Sequence, residues 1–303
     1  LKTFKILSFD GGGVKGALSV GILKRICRRY PNFLNEVDLF AGTSTGSIIA
    51  LALANNMSVE YLDNLYSYTV TKEIFSPSRF NLFRPKFSNK NLHNILTENF
   101  TDELTLKDLN KYVFIPTFSI NGFSKDSWEP VFINNLTTNP TIDFKVVDIA
   151  LASSAAPTFF PSYKNFIDGG VVANSPTASA VFSSINSISY INYSSQIKLL
   201  SIGTGDSPDK ITGKTDNWGI AQWSFHPFAK MRSPFLSLVM DGMCNLEDMY
   251  CREFLKDNYF RINPKVSKFI EMDNYKLVPY LKEIAKNVDL NLLYEFIEEK
   301  FIN

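Results

Sequence analysis

Gly42-Thr43-Ser44-Thr45-Gly46 lies where an apolar run, residues 37–41, gives way to a small-residue helical run, 47–54. A strand that turns sharply into a helix with serine at the apex holds the hydroxyl clear of the backbone in a strained conformation. Glycine two positions to either side leaves room for the neighbouring segments. This is the pattern of a nucleophile elbow, with Ser44 as its nucleophile.

A second motif, Asp10-Gly11-Gly12-Gly13-Val14-Lys15-Gly16, sits between a strand pattern and a helix pattern. Gly11, Gly13 and Gly16 satisfy Gly-x-Gly-x-x-Gly, the dinucleotide fingerprint. The rival reading is an oxyanion hole, in which flexible amides at a helix start converge on a developing alkoxide. Asp10 favours the rival, since a carboxylate at the mouth of the loop repels a pyrophosphate and the fingerprint has no use for one. A Walker loop is excluded because the Gly-Lys-Ser/Thr order is absent. Lys15 opposes the helix macrodipole at a cost of about 0.3–1 kcal/mol. Its placement suits a cation that steadies the loop or attracts a phosphate, and suits a solvated surface lysine equally well.

A serine nucleophile needs a base. Only His93 and His226 offer an imidazole. His93 falls in a polar helix pattern and His226 precedes Pro227 in an aromatic segment, neither at a strand end where doubly wound enzymes place catalytic groups. Asp168 does follow a strand pattern, at Phe166-Ile167, and is followed by Gly169-Gly170. Taken alone, Asp-Gly-Gly reads as a turn with the aspartate capping the next segment.

The elements that must position these groups are legible as periodicities. Residues 4–9 read as a strand entering the glycine loop, and 17–30 as an amphipathic helix with Leu18, Ile22, Ile26 and Tyr30 four apart. Ser58 reads as the N-cap of a helix through Leu65. Strand, helix, strand, helix implies a parallel sheet covered on both faces. Residues 113–120, 130–133 and 197–202 read as further strands, and 146–153 and 176–182 as helices. The part beyond 206 reads as largely helical, including 278–301. With no repeat, low-complexity tract or linker, one domain over 1–303 is expected.

Composition narrows the classes. The 303 residues carry a formal net charge of +1, which argues against a general attraction to nucleic acid. Cys27, Cys244 and Cys251 show no metal-ligand spacing and read as reduced thiols, which suits a cytosolic protein. No secretory signal is visible and no apolar run approaches the ~20 residues that span a bilayer. Matches to the N-glycosylation pattern at Asn99, Asn135 and Asn192 are coincidences of an Asn-rich chain.

In order along the chain, Asp-Gly-Gly-Gly-Val-Lys-Gly, Gly-Thr-Ser-Thr-Gly and Asp-Gly-Gly resemble the motifs of the patatin-like phospholipases. The likeness extends to residues 152–161 before Asp168, to Ala173-Asn174-Ser175-Pro176 after it, and to Leu200-Ser201-Ile202-Gly203-Thr204-Gly205. It covers roughly 4–206 and is weak beyond, in stretches such as Met240-Asp241-Gly242. The resemblance implies an α/β fold of three layers, with a mostly parallel central sheet between helices and a helical C-terminal part. It implies a lipid acyl hydrolase with a Ser-Asp dyad and neither cofactor nor metal. Ser44 is then the nucleophile, Asp168 the base, and Gly11, Gly12 and Gly13 the oxyanion hole, with Lys15 in a supporting position where members carry Lys or Arg. The implied partner is a phospholipid or other acyl lipid, met by peripheral contact with a membrane. The family includes storage proteins, injected bacterial toxins and nucleotide-gated defence effectors, so activator, compartment and secretion stay open.

An unperturbed aspartate, with a pKa of ~3.9, is about three units too acidic to act near neutrality, a deficit of roughly 4 kcal/mol. Burial is expected to raise it. In residues 75–90, Phe75, Phe80, Phe83 and Phe87 interleave with Arg79, Arg84, Lys86 and Lys90. The segment fits either insertion at a lipid surface or cover for the core. Two other functions fit parts of the pattern: a His-dependent α/β-hydrolase esterase using His226, and a catalytically silent lipid- or nucleotide-binding module.

Overall fold

In the first strand, β1 (Phe4–Phe9), Phe4 and Ile6 enter one apolar layer while Leu7 and Phe9 enter another. β6 (Ile197–Ile202) repeats this division, with Ile197 and Leu199 on one side and Leu200 and Ile202 on the other. Strands that are apolar on both faces must be covered twice, and such strands build parallel sheets between helical layers. The computed structural model describes residues 2–78, 83–207, 211, 214–224 and 234–302.

The sheet runs in the order β4-β3-β2-β1-β6-β7, with β2 (Leu39–Gly42), β3 (Tyr112–Ser119), β4 (Glu129–Asn134) and β7 (Tyr259–Ile262). β3, β2, β1, β6 and β7 are mutually parallel, and β4 returns antiparallel along the outer edge of β3. β5 (Phe166–Asp168) lies off this path, antiparallel to the last residues of β3.

On the face reached by Leu7 and Phe9 lie α1 (Gly16–Arg29), α2 (Thr45–Ala54), α3 (Val59–Leu65), α4 (Tyr68–Ile74), α5 (Lys90–Asn99) and α6 (Val146–Ser153). After β5 come α7 (Gly170–Ala173), α8 (Thr177–Ser187), α9 (Ile220–Ser224) and α10 (Pro234–Leu255). α8 and the end of α10 cover the opposite face through Ala178, Val181, Cys251 and Leu255. α11 (Val278–Asn287) and α12 (Asn291–Ile297) return to the first face and pack there through Leu281, Ala285 and Leu293. The observed architecture is the expected three-layer α/β fold with a mostly parallel sheet.

α2 is buried at every position. A helix apolar all round suits a central position, and its small residues Ser47, Ala50, Ala52 and Ala54 let it sit close behind the sheet. Ser58 caps α3 as expected, its hydroxyl accepting the Tyr61 N–H at 3.1 Å. The C-terminal part departs from the helical expectation at β7. Four residues are too few for a visible alternation, and β7 is defined by pairing with β6 along Leu199 to Ile202. Among the described residues, no helix is long and apolar enough to cross a membrane.

Candidate active site

β2 and β5 share one edge of β3 and approach each other from opposite directions. Ala41 of β2 pairs with Phe114, whereas Asp168 at the end of β5 pairs with Thr117, three positions further along β3. The chain leaving β2 therefore turns beside the end of β5. Ser44 and Asp168 come together at the carboxyl ends of the parallel strands, where open α/β sheets keep their binding crevices.

Ser44 sits on that turn with φ 54° and ψ −119°, a strained conformation for a residue with a side chain. The strain is held from several sides. The Ser44 N–H donates to Ser153 Oγ at 3.0 Å, and Ser153 donates in turn to the Pro116 carbonyl at 2.8 Å. Ser47 Oγ donates to the Ser44 carbonyl at 2.6 Å. Thr43 Oγ1 donates to the Ala173 carbonyl at 2.6 Å. Glycine is required at Gly46, where a Cβ would stand 2.3 Å from the Phe9 carbonyl oxygen. The positive end of α2 points at the serine.

Asp168 is 1 % exposed. Its Oδ1 accepts the Gly170 N–H at 2.7 Å, and its Oδ2 has no partner at full hydrogen-bond geometry among the described residues. Burial pushes the carboxyl up to about 6, and donation from the Ser44 hydroxyl and the Gly170 N–H holds back a further rise. The Ser44 hydroxyl thus lies near enough to the carboxyl to favour its ionised form, without a hydrogen bond of full geometry.

The glycine loop closes the third side. The Gly11 N–H donates to the Asn174 carbonyl at 2.8 Å, and the Val14 N–H to the Met272 carbonyl at 2.8 Å. The amides of Gly12 and Gly13 have no partner among the described residues. Three glycine amides were expected to point at one oxyanion, but that of Gly11 is committed to tying the loop to the segment after Asp168. Gly13, with φ 58°, lies so close to the Met272 carbonyl that a Cβ would stand 2.1 Å from its oxygen.

Asp10 reaches Arg261 of β7, which grips both carboxylate oxygens at 3.1 and 2.5 Å and also donates to Ser201 Oγ at 2.7 Å. Burial works against the guanidinium's charge, yet the Asp10 carboxylate outweighs it and raises the Arg261 pKa. The repulsion that sequence reasoning assigned to Asp10 is therefore neutralised, and the carboxylate acts as an anchor for the loop. Lys15 makes no ion pair among the described residues and lines polar space beside the loop.

Ser44, Gly12 and Gly13 open onto a cleft of about 690 Å³ that is open on one side and walled by Ile48, Leu65, Ile74, Leu96 and Phe160. The polar side chains of Thr45, Tyr66, Thr71 and Ser154 also line it. Phe75 and Phe87 are buried and stack with Phe160, ring centroids 5.3–5.8 Å apart. These two phenylalanines of the 75–90 segment therefore serve the core. Phe83 is 94 % exposed, and Arg79 and Phe80 lie outside the described residues. His93, on α5, is half-buried and does not line the cleft, although Leu92 and Leu96 on the same helix do. His226 lies outside the described residues.

Sequence reasoning quoted Ser153 and Met240 within the resembling stretches but gave them no role, and missed Arg261 and Met272; each is brought in by pairing or packing between distant segments. It missed Glu247 too, whose carboxylate accepts from Ala178 N at 2.6 Å, Ser179 N at 3.2 Å and Ser179 Oγ at 2.9 Å. This caps the start of α8 and pins α10 to the segment that follows Asp168. Met240, two turns before Glu247, thereby reaches the cleft.

Comparison with known proteins identifies the family. Residues 7–181 match the family model described as patatin-like phospholipase. The chain is 32 % identical to protein teg of Priestia megaterium, covering 98 % of this chain and 99 % of that protein. It is 30 % identical to CotR of Bacillus subtilis, provisionally named a sporulation hydrolase, over 98 % of each. It is 28 % identical to the cGAMP-activated phospholipase of Vibrio cholerae, covering 95 % of this chain and 85 % of that one. A match of this extent makes the chain a member of the patatin-like phospholipase family.

Proposed function

We propose that the protein is a lipid acyl hydrolase of the phospholipase A type, working through a Ser44–Asp168 dyad. The observation that carries this reading is the meeting of β2 and β5 on one edge of β3, which sets a buried carboxyl against a strained serine hydroxyl. Asp168 accepts the proton as Ser44 Oγ attacks the ester carbonyl, and the amides of Gly12 and Gly13 receive the tetrahedral oxyanion. Collapse expels the lysolipid alcohol, which takes the proton back. Asp168 then activates water, which attacks the acyl-serine and frees the fatty acid.

A carboxyl shifted to about 6 recovers much of the deficit of an ordinary aspartate. The mismatch with neutral pH shrinks from about three units to about one, or roughly 1.4 kcal/mol. The apolar cleft accounts for the other half of the substrate. An acyl chain laid along Ile48, Leu65, Ile74 and Leu96 would leave its carbonyl at Ser44. The lipid then has to be drawn from a surface, so the protein works in peripheral contact with a membrane or micelle.

A fluorophosphonate should label Ser44 in the wild type and fail in Ser44→Ala. Incubation with a mixed lipid extract should release free fatty acid and lysolipid in equal amounts. Full activity in Asp168→Asn would overturn the dyad. Loss of both activity and Ser44 labelling on replacing His226, with the fold intact, would favour a His-dependent esterase instead.

A further inference from the structure

Three cavities run in succession away from Ser44, each sharing a wall with the next. The apolar cleft and a middle chamber of about 610 Å³ share Gly12, Met240 and Met272. The middle chamber shares Lys15, Asn174 and Asp241 with a polar chamber of about 1160 Å³. The wall changes from hydrocarbon to charge along this path, as an amphipathic ligand does along its length.

The charges of the polar chamber are unevenly committed. Arg261 is held by Asp10, and Arg252 by Asp248 at 3.0 Å. Lys15 and Asp206 make no ion pair among the described residues. Lys15 stands on the wall common to the middle and polar chambers, its Cε 3.0 Å from where a Cβ on Gly12 would lie. Asp206 is exposed and borders the polar chamber alone, one step further from the serine. At the junction, the buried Oδ1 of Asn174 has no hydrogen-bond partner among the described residues. Outward from Ser44 come Lys15, which shares its wall with the carboxylate of Asp241, and then Asp206, which borders the polar chamber alone. The matching order in a phospholipid is ester, phosphate, ammonium.

We propose that the polar chamber receives a phosphoethanolamine headgroup, with Lys15 on the phosphate and Asp206 on the ammonium, so that ethanolamine phospholipids are the preferred substrates. This rests on the reading of Ser44 as the nucleophile of a lipid acyl hydrolase. A primary ammonium donates hydrogen bonds to a carboxylate and to amide oxygens, whereas a trimethylammonium cannot and is best received by aromatic faces. The described lining of the polar chamber contains no aromatic ring. A glycerol headgroup has no cation, so its lipid pairs its phosphate with Lys15 but leaves the Asp206 carboxylate without a counter-charge.

The test compares ethanolamine, choline and glycerol phospholipids of identical acyl chains in nonionic detergent micelles, with p-nitrophenyl octanoate as an ester lacking any headgroup. The wild type should show kcat/KM for the ethanolamine lipid at least about tenfold above the glycerol lipid, with the choline lipid between. Asp206→Lys should remove or invert that ratio while octanoate hydrolysis stays within about twofold. Asp206→Asn, which keeps the side-chain volume, should reduce the ratio without inverting it. Lys15→Gln should lower all three lipids about tenfold together, leaving the ratios intact. Equal wild-type rates on the ethanolamine and glycerol lipids, or an unchanged ratio in Asp206→Lys, would overturn the headgroup site. A wild type inert towards octanoate and unlabelled by fluorophosphonate would instead strike at the Ser44 reading itself.

Discussion

The Ser153 hydroxyl accepts the Ser44 N–H and passes its own proton to the Pro116 carbonyl, so one side chain links the elbow to β3. The positive φ of Ser44 turns its amide away from any helical partner, and α6 supplies the acceptor instead. Both bonds are buried.

Ser153→Ala would leave the Ser44 N–H and the Pro116 carbonyl unpaired, each a desolvated group costing about 1–3 kcal/mol. The expected outcome is a stability loss of about 2 kcal/mol in urea unfolding. A fall in kcat of about 10–100-fold should accompany it with KM little changed, because the hydroxyl loses its aim and the substrate wall does not move.

The elevated pKa of Asp168 sets the pH behaviour. A base that must be ionised makes kcat/KM rise with pH through an apparent pKa near 6 and level off above it. Stability runs the other way. Between the unfolded value near 4 and the folded value near 6, the native state binds the extra proton, so this group's contribution is full below about 4 and is lost as pH rises through about 6. Asp168→Asn removes the buried charge and should raise stability at pH 7–8 by about 1–3 kcal/mol, while lowering kcat at least about 1000-fold. Matched pH–rate and pH–denaturation curves check both signs.

Arg261→Met would strand the Asp10 carboxylate in a buried site. Breaking one side of such a pair costs about 3–5 kcal/mol, and lysine should restore only part because it cannot form the two-pronged grip. Chemical denaturation of Arg261→Met, Arg261→Lys and the double variant Asp10→Asn/Arg261→Met should rank the double variant above the single methionine change.

Chain-length selection should follow the cleft. Ile74 is a wall of the apolar cleft on α4, and Ile74→Trp would shorten the space beyond the ester. Butyrate and hexanoate p-nitrophenyl esters should keep rates within about threefold, while hexadecanoate should fall about tenfold or more. Equal losses across the series would show that the acyl chain lies elsewhere.

Elements with a complete local signal were legible. Residues 4–9, 197–202 and 146–153 form β1, β6 and α6 within their expected bounds, because alternation or helical spacing fills each segment. Ser58 announced its cap by type and position. β7 had no such signal, being four residues whose state is decided by the strand beside them. The glycine loop was legible as motif and place, but not which amide would be spent. That depends on the carbonyl of Asn174, a partner no local pattern can reveal. Arg261 and Ser153 escaped for the same reason: their roles exist only once the sheet order and register are set.

The guanidinium that steadies the glycine loop is separated from its carboxylate by 251 positions of chain. During synthesis, the serine and its loop leave the ribosome long before the counter-charge for Asp10 does. A nascent or clipped chain stopping short of β7 carries all three motifs yet lacks the grip that orders the first of them. The order of the first loop is thus set only once the strand that carries Arg261 has been made.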